Sequence, residues 1–503
     1  MTYAAFQSEI ARINDILSTV NLLSWDARTV MPHGGVETRG QQIATLTSLA
    51  RDMATGDTLR RALEGAKNEL AGAGADDIRL RALSQAEGEI DILSRIPAQI
   101  IAELAALKTS SHAAWVDARA ANDFAGYAPL LSRMIAIQRE IGAAIGGNPY
   151  DALIGCYEPG MTMSQLHAIY GELKSALVPL IERATSAKQP RTDFLQRSYP
   201  VDGQKTFGLQ VATKMGYDLN RGRLDDTIHP FEISFTRNDV RITSRFRENW
   251  LPGGMFALWH EAGHGMYEQG IDPAFTRSIF ATDLLNLYAV GGASFGMHES
   301  QSRLWENRVG RSERFWQLHF PALQAQFPDQ LFDVTAREFW LSVNQVRPDF
   351  IRVEADELTY DLHIILRSEI EAGLMAGDLQ VADLPGVWAE KMKTYLGRDV
   401  PNYTLGVLQD VHWSQGYIGS FPTYTLGNIM ASQIFHKATA EHAVAEGLQN
   451  GDYLPLRSWL TDAVYAHGRA SSPAETLMRV VGSPLDTAPY IADLTAKVAA
   501  LLT

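Results

Sequence analysis

The stretch GGMFALWHEAGHGMYEQG, from Gly253 to Gly270, decides the fold of this chain. Glycines stand where a helix can begin and end, and an apolar run leads into His260, Glu261 and His264. On a helix, two histidines four residues apart lie on one face, so both imidazoles can bind one metal ion. We therefore predict a buried helix that carries a metal site.

The residue types on this helix indicate a hydrolytic metal centre. Zinc binds imidazole nitrogen at about 2.0 Å, and a catalytic zinc has three protein ligands and an open position for water. The ion lowers the pKa of that water and polarises a carbonyl, while a nearby glutamate such as Glu261 moves the proton. The alternative is a buried amphipathic helix whose histidines make only internal hydrogen bonds.

A third protein ligand has to come from another part of the chain. Glu299, which follows His298 at the start of a predicted helix, is the first choice, because a downstream carboxylate is a known solution. Spacing alone leaves Glu268, Asp283 and Glu306 open. We interpret His298 as a contact of a ligand and not as a ligand. Zinc and cobalt both suit two imidazoles and one carboxylate.

Composition narrows the class of protein. The 503 residues are 46% hydrophobic, which is enough for a large core. The formal charge of −14 is spread along the chain, which argues against nucleic acid or an anionic membrane as the main partner. Cys156 is the only cysteine, so an intrachain disulfide is excluded. No long apolar run and no signal-peptide pattern is present, so we expect a cytoplasmic protein.

The hydrophobic pattern is helical over most of the chain, including residues 1–185 and the stretch Val346–Leu374, which we predict as one long helix. Residues 188–204 are rich in proline and polar residues and form a connection. Residues His229–Phe246 alternate between apolar and polar types, which predicts a β-hairpin beside the metal helix. The apolar positions on its two strands are Phe231, Ile233 and Phe235, and then Val240 and Ile242.

Together these segments resemble the carboxypeptidase Taq family of metallocarboxypeptidases, peptidase family M32. Five motifs carry the resemblance in order: DVRIT (239–243), HEAGH (260–264), HESQ (298–301), IRVEAD (351–356) and GVLQDVHW (406–413). Three further stretches extend it over almost the whole chain: SWD…MP (24–32), NPYDALIGCYEPGMT (148–162) and FPTYTLGN (421–428). The interval between HEAGH and HESQ is longer here than in the family, with IFATDLLNLY (279–288) as the excess.

The resemblance implies a mainly α, large helical gluzincin-type metallopeptidase fold, with a deep active-site groove and a small antiparallel β-hairpin near the zinc helix. It implies a single peptidase domain over residues 1–503, in which residues 1–185 partly cover the groove and residues 205–503 hold the metal site. It also implies a homodimer. By position, the metal ligands become His260, His264 and Glu299, and the general base and acid becomes Glu261.

An exopeptidase has to bind a free C-terminal carboxylate, and a guanidinium group suits this because it makes two parallel hydrogen bonds. Arg352, inside IRVEAD, is the leading candidate by resemblance. Arg347 and Arg241 remain alternatives. Arg241 and Asp239 in DVRIT are candidate substrate-binding residues, and their alternative role is a structural ion pair.

The developing oxyanion of peptide hydrolysis needs hydrogen-bond donors. His412 and Tyr424 are the candidates, because they lie in GVLQDVHW and FPTYTLGN and related helical gluzincins use a His and a Tyr at a similar separation. Tyr417 is an alternative to Tyr424, and either phenol can instead be a packed, hydrogen-bonded side chain. Asp410 is a candidate to orient His412.

We therefore predict a zinc-dependent carboxypeptidase that removes single residues from peptides with a free C-terminus. One alternative is a peptidyl-dipeptidase or oligopeptidase of the same mechanism, in which the cation lies one residue further from the metal. The other is a non-catalytic peptide-binding protein that retains a relic site.

Overall fold

The computed structural model describes residues 2–503, and most of them are helical. Helices make up 71% and strands 4% of the residues, which confirms the predicted mainly α fold with a small sheet. Within the described chain, no helix is both long and apolar enough to cross a membrane.

The helices follow one another with short connections. Within residues 2–503 they are α1 (Tyr3–Thr29), α2 (Val36–Thr55), α3 (Asp57–Glu69), α4 (Ile78–Arg95), α5 (Ala98–Ala121), α6 (Phe124–Ile145), α7 (Pro149–Tyr157), α8 (Met163–Ser186), α9 (Val201–Met215), α10 (Leu251–Gly270), α11 (Phe295–Arg303), α12 (Glu313–Gln326), α13 (Pro328–Leu331), α14 (Ala336–Val343), α15 (Glu357–Ala376), α16 (Leu384–Leu396), α17 (Pro422–Thr439), α18 (His442–Asn450), α19 (Leu454–Ala463), α20 (Pro473–Val480) and α21 (Ala488–Leu501).

A three-stranded sheet lies between α1 and α10. Its strands are β1 (Gly222–Asp226), β2 (Glu232–Thr236) and β3 (Asp239–Ser244), in the spatial order β1-β3-β2. Strands β2 and β3 pair antiparallel, as the hairpin prediction required, whereas the parallel strand β1 was not predicted. One face contacts α10, and α1 contacts β2, for example through the hydrogen bond from Asn21 Nδ2 to Ser234 O.

The chain forms two compact units. The first contains residues 2–94, 191–343 and 430–485, and the second contains residues 95–190, 344–429 and 486–503. The metal helix α10 belongs to the first unit, and the motifs IRVEAD and GVLQDVHW belong to the second. The prediction of a single peptidase domain, in which residues 1–185 partly cover the groove and residues 205–503 hold the metal site, stays a prediction.

The segment IFATDLLNLY packs into an apolar core of the first unit, together with helices α1 to α4. Ile279, Phe280 and Leu284 are buried there. Asn14 of α1 donates a hydrogen bond to the carbonyl oxygen of Ala281 at 2.9 Å. The segment predicted to be the excess between HEAGH and HESQ therefore lies in the core of this unit.

The prediction of one helix over Val346–Leu374 is wrong in its first third. Helix α15 begins only at Glu357, where Asp356 accepts hydrogen bonds from the first backbone amides and caps the helix. Pro348 disfavours helical geometry in the residues around it. As a result, Arg352 lies on a short 3-10 turn before α15.

Candidate active site

Helix α10 places the two candidate histidine ligands on one face. It runs from Leu251 to Gly270, so it ends where predicted and begins two residues before Gly253, with Pro252 in its first turn. Proline is tolerated at that position because the first backbone amides have no intrahelical acceptor.

Gly263, inside HEAGH, allows helix α11 to approach α10 closely. A Cβ atom at this position would lie 2.6 Å from Ser302 Cα and 2.7 Å from Gln301 O. Helix α11 starts after Ser294, which caps it, and carries Glu299 one turn before this contact. The close approach of the two helices therefore brings Glu299 to the histidines.

The three candidate ligands meet at one point. Glu299 Oε2 lies 3.5 Å from His260 Nε2 and 3.3 Å from His264 Nε2. Ligand atoms about 2.0–2.2 Å from a tetrahedral zinc are separated by roughly 3.3 Å, so these distances suit an ion between them. Within residues 2–503, this is the only group of three or more acid, His or Cys side chains with such geometry.

Glu306, which spacing left open as a ligand, contacts the other ring nitrogen of His260. Its Oε2 lies 3.0 Å from His260 Nδ1. It lies on a π-helical segment, Leu304–Gly310, that continues α11. Arg311 Nη2 donates to Glu306 Oε1 at 3.0 Å, and Arg303 Nε donates to Glu299 Oε1 at 2.7 Å. These ion pairs hold both carboxylates in place.

The electrostatics of the cluster favour a bound cation. Burial lowers the pKa of His264 to about 3, so this imidazole is neutral, as a metal ligand has to be. Burial also opposes a charge on His260, but Glu299 and Glu306 outweigh it and raise its pKa to about 10. Without a metal ion, a proton on His260 thus supplies the positive charge that a bound ion would supply.

Glu261 lies beside the ligands without joining them. Its carboxyl is buried, and burial raises its pKa to about 7, an effect that His260 partly offsets. A base with a pKa near the working pH is efficient in proton transfer.

Arg241 and Asp239 form a two-pronged ion pair on strand β3. Arg241 Nε and Nη2 donate to the two Asp239 oxygens at 2.9 and 3.0 Å. The guanidinium carbon also lies 4.2 Å from the centre of the Trp25 ring and 4.8 Å from that of Phe235. The two donors that would grip a carboxylate are therefore occupied, which favours the structural ion pair.

In the second unit, Arg352 is buried in a cluster of charged groups. Its Nε donates to Asp410 Oδ1 at 3.0 Å and its Nη1 to Tyr360 OH at 3.1 Å. Arg367 Nε donates to the other Asp410 oxygen at 2.5 Å. Arg347, the alternative clamp, is mostly exposed and pairs with the carboxylate two residues further on.

His412 and Tyr424 contact each other in this unit. His412 Nε2 lies 3.2 Å from Tyr424 OH, whereas the ring centre of Tyr417 is 6.5 Å from that of His412. Burial and then Arg352 lower the pKa of His412 to about 3, so the ring is neutral. Asp410 does not orient it through a hydrogen bond, because its Oδ1 is 3.9 Å from His412 Nδ1 and its oxygens bind arginines.

Three arginines of these clusters were not predicted. Arg303 follows Glu299 by one helical turn, a spacing that could have indicated the ion pair. Arg367 stands in an apolar helix, where an arginine needs an anionic partner, but its partner Asp410 is remote in sequence. Arg311 likewise offers no local pattern.

Comparisons with known proteins match the whole chain. The family described as carboxypeptidase Taq (M32) metallopeptidase matches residues 5–498. Thermostable carboxypeptidase 1 of Thermus thermophilus is 39% identical over 516 residues, covering 99% of each chain. Carboxypeptidase 1 of Bacillus subtilis is 35% identical, covering 95% of this chain and 94% of its own. The crystal structure of an M32 carboxypeptidase from Deinococcus radiodurans superimposes with a TM-score of 0.93 at 37% identity, covering 99% of this chain and 98% of the other.

Proposed function

Because this chain belongs to the carboxypeptidase Taq (M32) family and is a metal-dependent carboxypeptidase, we propose that His260, His264 and Glu299 bind its metal ion and that Glu261 is its general base. The observation that carries this proposal is the convergence of Glu299 Oε2 on both histidine Nε2 atoms. The neutral His264 and the buried Glu261 support it further.

These residues divide the work of hydrolysis. When bound, the ion supplies Lewis-acid polarisation of the scissile carbonyl and lowers the pKa of water. Glu261 accepts the proton of the attacking water and later delivers it to the leaving nitrogen. His412 and Tyr424 donate hydrogen bonds to the developing oxyanion, and the neutral state of His412 leaves it an N–H donor.

Arg352 binds the C-terminal carboxylate of the peptide. This role is supported by the position of Arg352 in IRVEAD and by the excess of positive charge in its cluster, since two guanidinium groups share one carboxylate. We prefer Arg352 to Arg241, because Arg241 pairs with a carboxylate of its own, Asp239. If Arg352 binds the carboxylate of the residue that directly follows the cleaved bond, the enzyme releases single amino acids.

The ion is zinc, with cobalt or another divalent ion as a substitute, and the enzyme is a cytoplasmic homodimer that acts on peptides. The donor set of two imidazoles and one carboxylate supports zinc or cobalt, and the family resemblance supports the dimer. Metal analysis of protein purified without chelator, with light scattering for mass, tests both. Less than one ion per chain, with no activity gained on adding zinc or cobalt, would contradict the metal site.

An N-blocked tetrapeptide tests the reaction and the base together. The wild-type enzyme should release single amino acids from the C-terminus, and dipeptide release alone would favour the peptidyl-dipeptidase alternative. Glu261→Gln should keep its metal and lose about 10²- to 10⁴-fold in kcat. Glu64→Gln, which removes an exposed carboxylate on α3, is the control and should leave kcat unchanged. Equal rates in wild type and Glu261→Gln would contradict the role of Glu261.

A further inference from the structure

The ring nitrogen of His264 that faces away from Glu299 contacts a second imidazole. His264 Nδ1 lies 2.5 Å from His298 Nδ1, and the two ring planes are inclined by 29° with their centres 4.7 Å apart. Two ring nitrogens at this distance need one donor and one acceptor. The proton positions on the two rings therefore depend on each other.

The far nitrogen of His298 contacts Glu268, one turn after His264 on α10. His298 Nε2 lies 2.9 Å from Glu268 Oε1. The Glu268 carboxylate, whose side chain is 5% exposed, also accepts hydrogen bonds from the backbone amides of Gly291 and Gly292 at 3.0–3.1 Å. An ionised carboxylate only accepts hydrogen bonds, so His298 Nε2 carries a proton and donates it.

This arrangement sets the proton positions on His264. When a metal ion supplies the positive charge of the cluster and His298 is neutral, its proton lies on Nε2 and its Nδ1 is an acceptor. His264 Nδ1 must then be the donor, so the lone pair of His264 lies on Nε2. That is the nitrogen that points to Glu299.

We propose that Glu268 and His298 are positioning residues that fix the tautomer and ring orientation of His264 through the chain Glu268···His298···His264. The proposal rests on the role of His264 as a metal ligand. His260 is supported differently, because a carboxylate, Glu306, contacts its Nδ1 directly. The geometry around His298 is tight, since a Cβ atom on Gly292 would lie 2.3 Å from its Cδ2.

The test is the metal dissociation constant of the full-length chain, measured by competition with a chromophoric chelator. Glu268→Gln should weaken zinc binding about 10- to 100-fold, the usual cost of losing a partner of a metal ligand. In Glu268→Gln, the amide oxygen accepts from the backbone amides and the NH₂ group faces His298 Nε2. The proton of His298 then moves to Nδ1 and is donated to His264 Nδ1. The neutral His264 must carry its own proton on Nε2, the nitrogen proposed to bind the metal.

His298 variants separate the hydrogen bond from packing. His298→Leu removes the acceptor and should weaken binding about 10- to 100-fold. His298→Asn places an amide oxygen where Nδ1 was, so it can accept from His264 and should recover most of the lost affinity. If His298→Leu fails to fold, as judged by circular dichroism of the metal-free protein, Glu268→Gln and His298→Asn decide the question.

Glu232→Gln is the control for a neighbouring buried carboxyl that makes no hydrogen bond to His298. Glu232 lies on β2 and accepts a hydrogen bond from Ser234 Oγ, and burial raises its pKa to about 8. Replacing this carboxyl should change zinc affinity by less than about threefold. Equal losses in Glu232→Gln and Glu268→Gln, or unchanged affinity in Glu268→Gln, would overturn the proposed chain. A wild-type protein that binds no ion would overturn the proposed metal site instead.

Discussion

The metal cluster of the first unit and the arginine cluster of the second are both buried, but their charges are unbalanced in opposite directions. In the first, Glu299 and Glu306 pair with Arg303 and Arg311, and two further buried carboxyl groups, Glu261 and Glu268, make no ion pair with an arginine or lysine among residues 2–503. Two guanidinium groups share one carboxylate in the second; these are Arg352 and Arg367 with Asp410. Buried charge without a partner is costly, so each imbalance indicates the sign of the group that the cluster binds.

The two clusters also differ in how they can compensate. In the first, histidines can take up protons when no cation is bound, as the raised pKa of His260 shows. In the second, the guanidinium groups keep their protons at neutral pH, and the pKa of the neighbouring His412 is lowered. The first cluster can therefore adjust its charge, whereas the second stays cationic.

Removing Arg367 should break the second cluster without affecting the first. Arg367 is fully buried, and Arg367→Met removes its hydrogen bonds to Asp410, Gln409 and the His363 carbonyl, while Arg352 still pairs with Asp410. We expect a loss of about 1–3 kcal/mol in the free energy of unfolding, measured with urea, and unchanged metal content. Arg337→Met, at an exposed ion pair with Glu313, is the control and should cost about 1 kcal/mol or less. Equal losses in both variants would contradict a special role for the cluster.

Arg352→Gln should separate substrate binding from metal binding. Losing one partner of a buried charge pair costs about 2–5 kcal/mol, so kcat/KM for a peptide with a free C-terminus should fall to that extent, mainly through KM. The zinc content should stay at the wild-type level. A peptide with an amidated C-terminus provides the control: the variant should no longer distinguish it from the free acid. A retained preference for the free acid would assign the carboxylate to another cation.

Gly263→Ala should damage the first cluster through the backbone. The added Cβ meets the backbone of α11, so we expect a loss of about 1–3 kcal/mol in stability and weaker zinc binding. Gly88→Ala, on α4, meets no atom within 4 Å and should instead stabilise by about 0.5–1 kcal/mol. Unaltered zinc affinity in Gly263→Ala would show that α11 can shift without moving Glu299.

Glu371 differs from the carboxylates of both clusters, because only neutral groups donate hydrogen bonds to it. It accepts hydrogen bonds from Tyr150 OH, Trp413 Nε1 and Gly419 N, each at 2.9 Å. Burial raises its pKa to about 7, so the folded protein binds this proton more tightly than the unfolded chain does. The stability gained in this way is complete below the unfolded pKa and is lost as pH rises through about 7.

Glu371→Gln cannot lose a proton, so its stability should lack this dependence on pH. Between about pH 5 and 7, the stability of the wild type relative to the variant should fall by up to about 1.4 kcal/mol per pH unit, and it should level off above pH 7. Urea unfolding at several pH values gives both curves. Parallel curves would show that Glu371 titrates in the folded protein as it does in the unfolded chain.

Features with a local cause could be predicted from sequence. Helix α10 and the β2–β3 hairpin follow from periodicity and turn residues. Strand β1, GRLDD, lacks β-branched residues and exists because it pairs with β3, a contact that no local pattern encodes. The apolar periodicity predicts a helix in the region before α15, but Pro348 and the capping Asp356 prevent a helix there.

The same distinction holds for the candidate site. The two candidate histidine ligands could be predicted from a four-residue spacing, whereas spacing alone left Glu299 as the first choice among four candidate acids. Arg367 and Asp410 are 43 residues apart, so their pairing depends on tertiary structure. The contact of His264 with His298, 34 residues away, has the same origin.

The π-helical segment Leu304–Gly310 makes the site sensitive to chain length as well as to side-chain identity. A π-turn holds one more residue than an α-turn. Deleting Leu304 or Trp305 would let α11 continue as a regular α-helix and would turn Glu306 by about 100° around the axis. His260 would then lose the carboxylate at its Nδ1. Deleting one uncharged residue here would thus remove the carboxylate contact of the proposed ligand His260, so the residue spacing within HESQSRLWEN matters as well as its side chains.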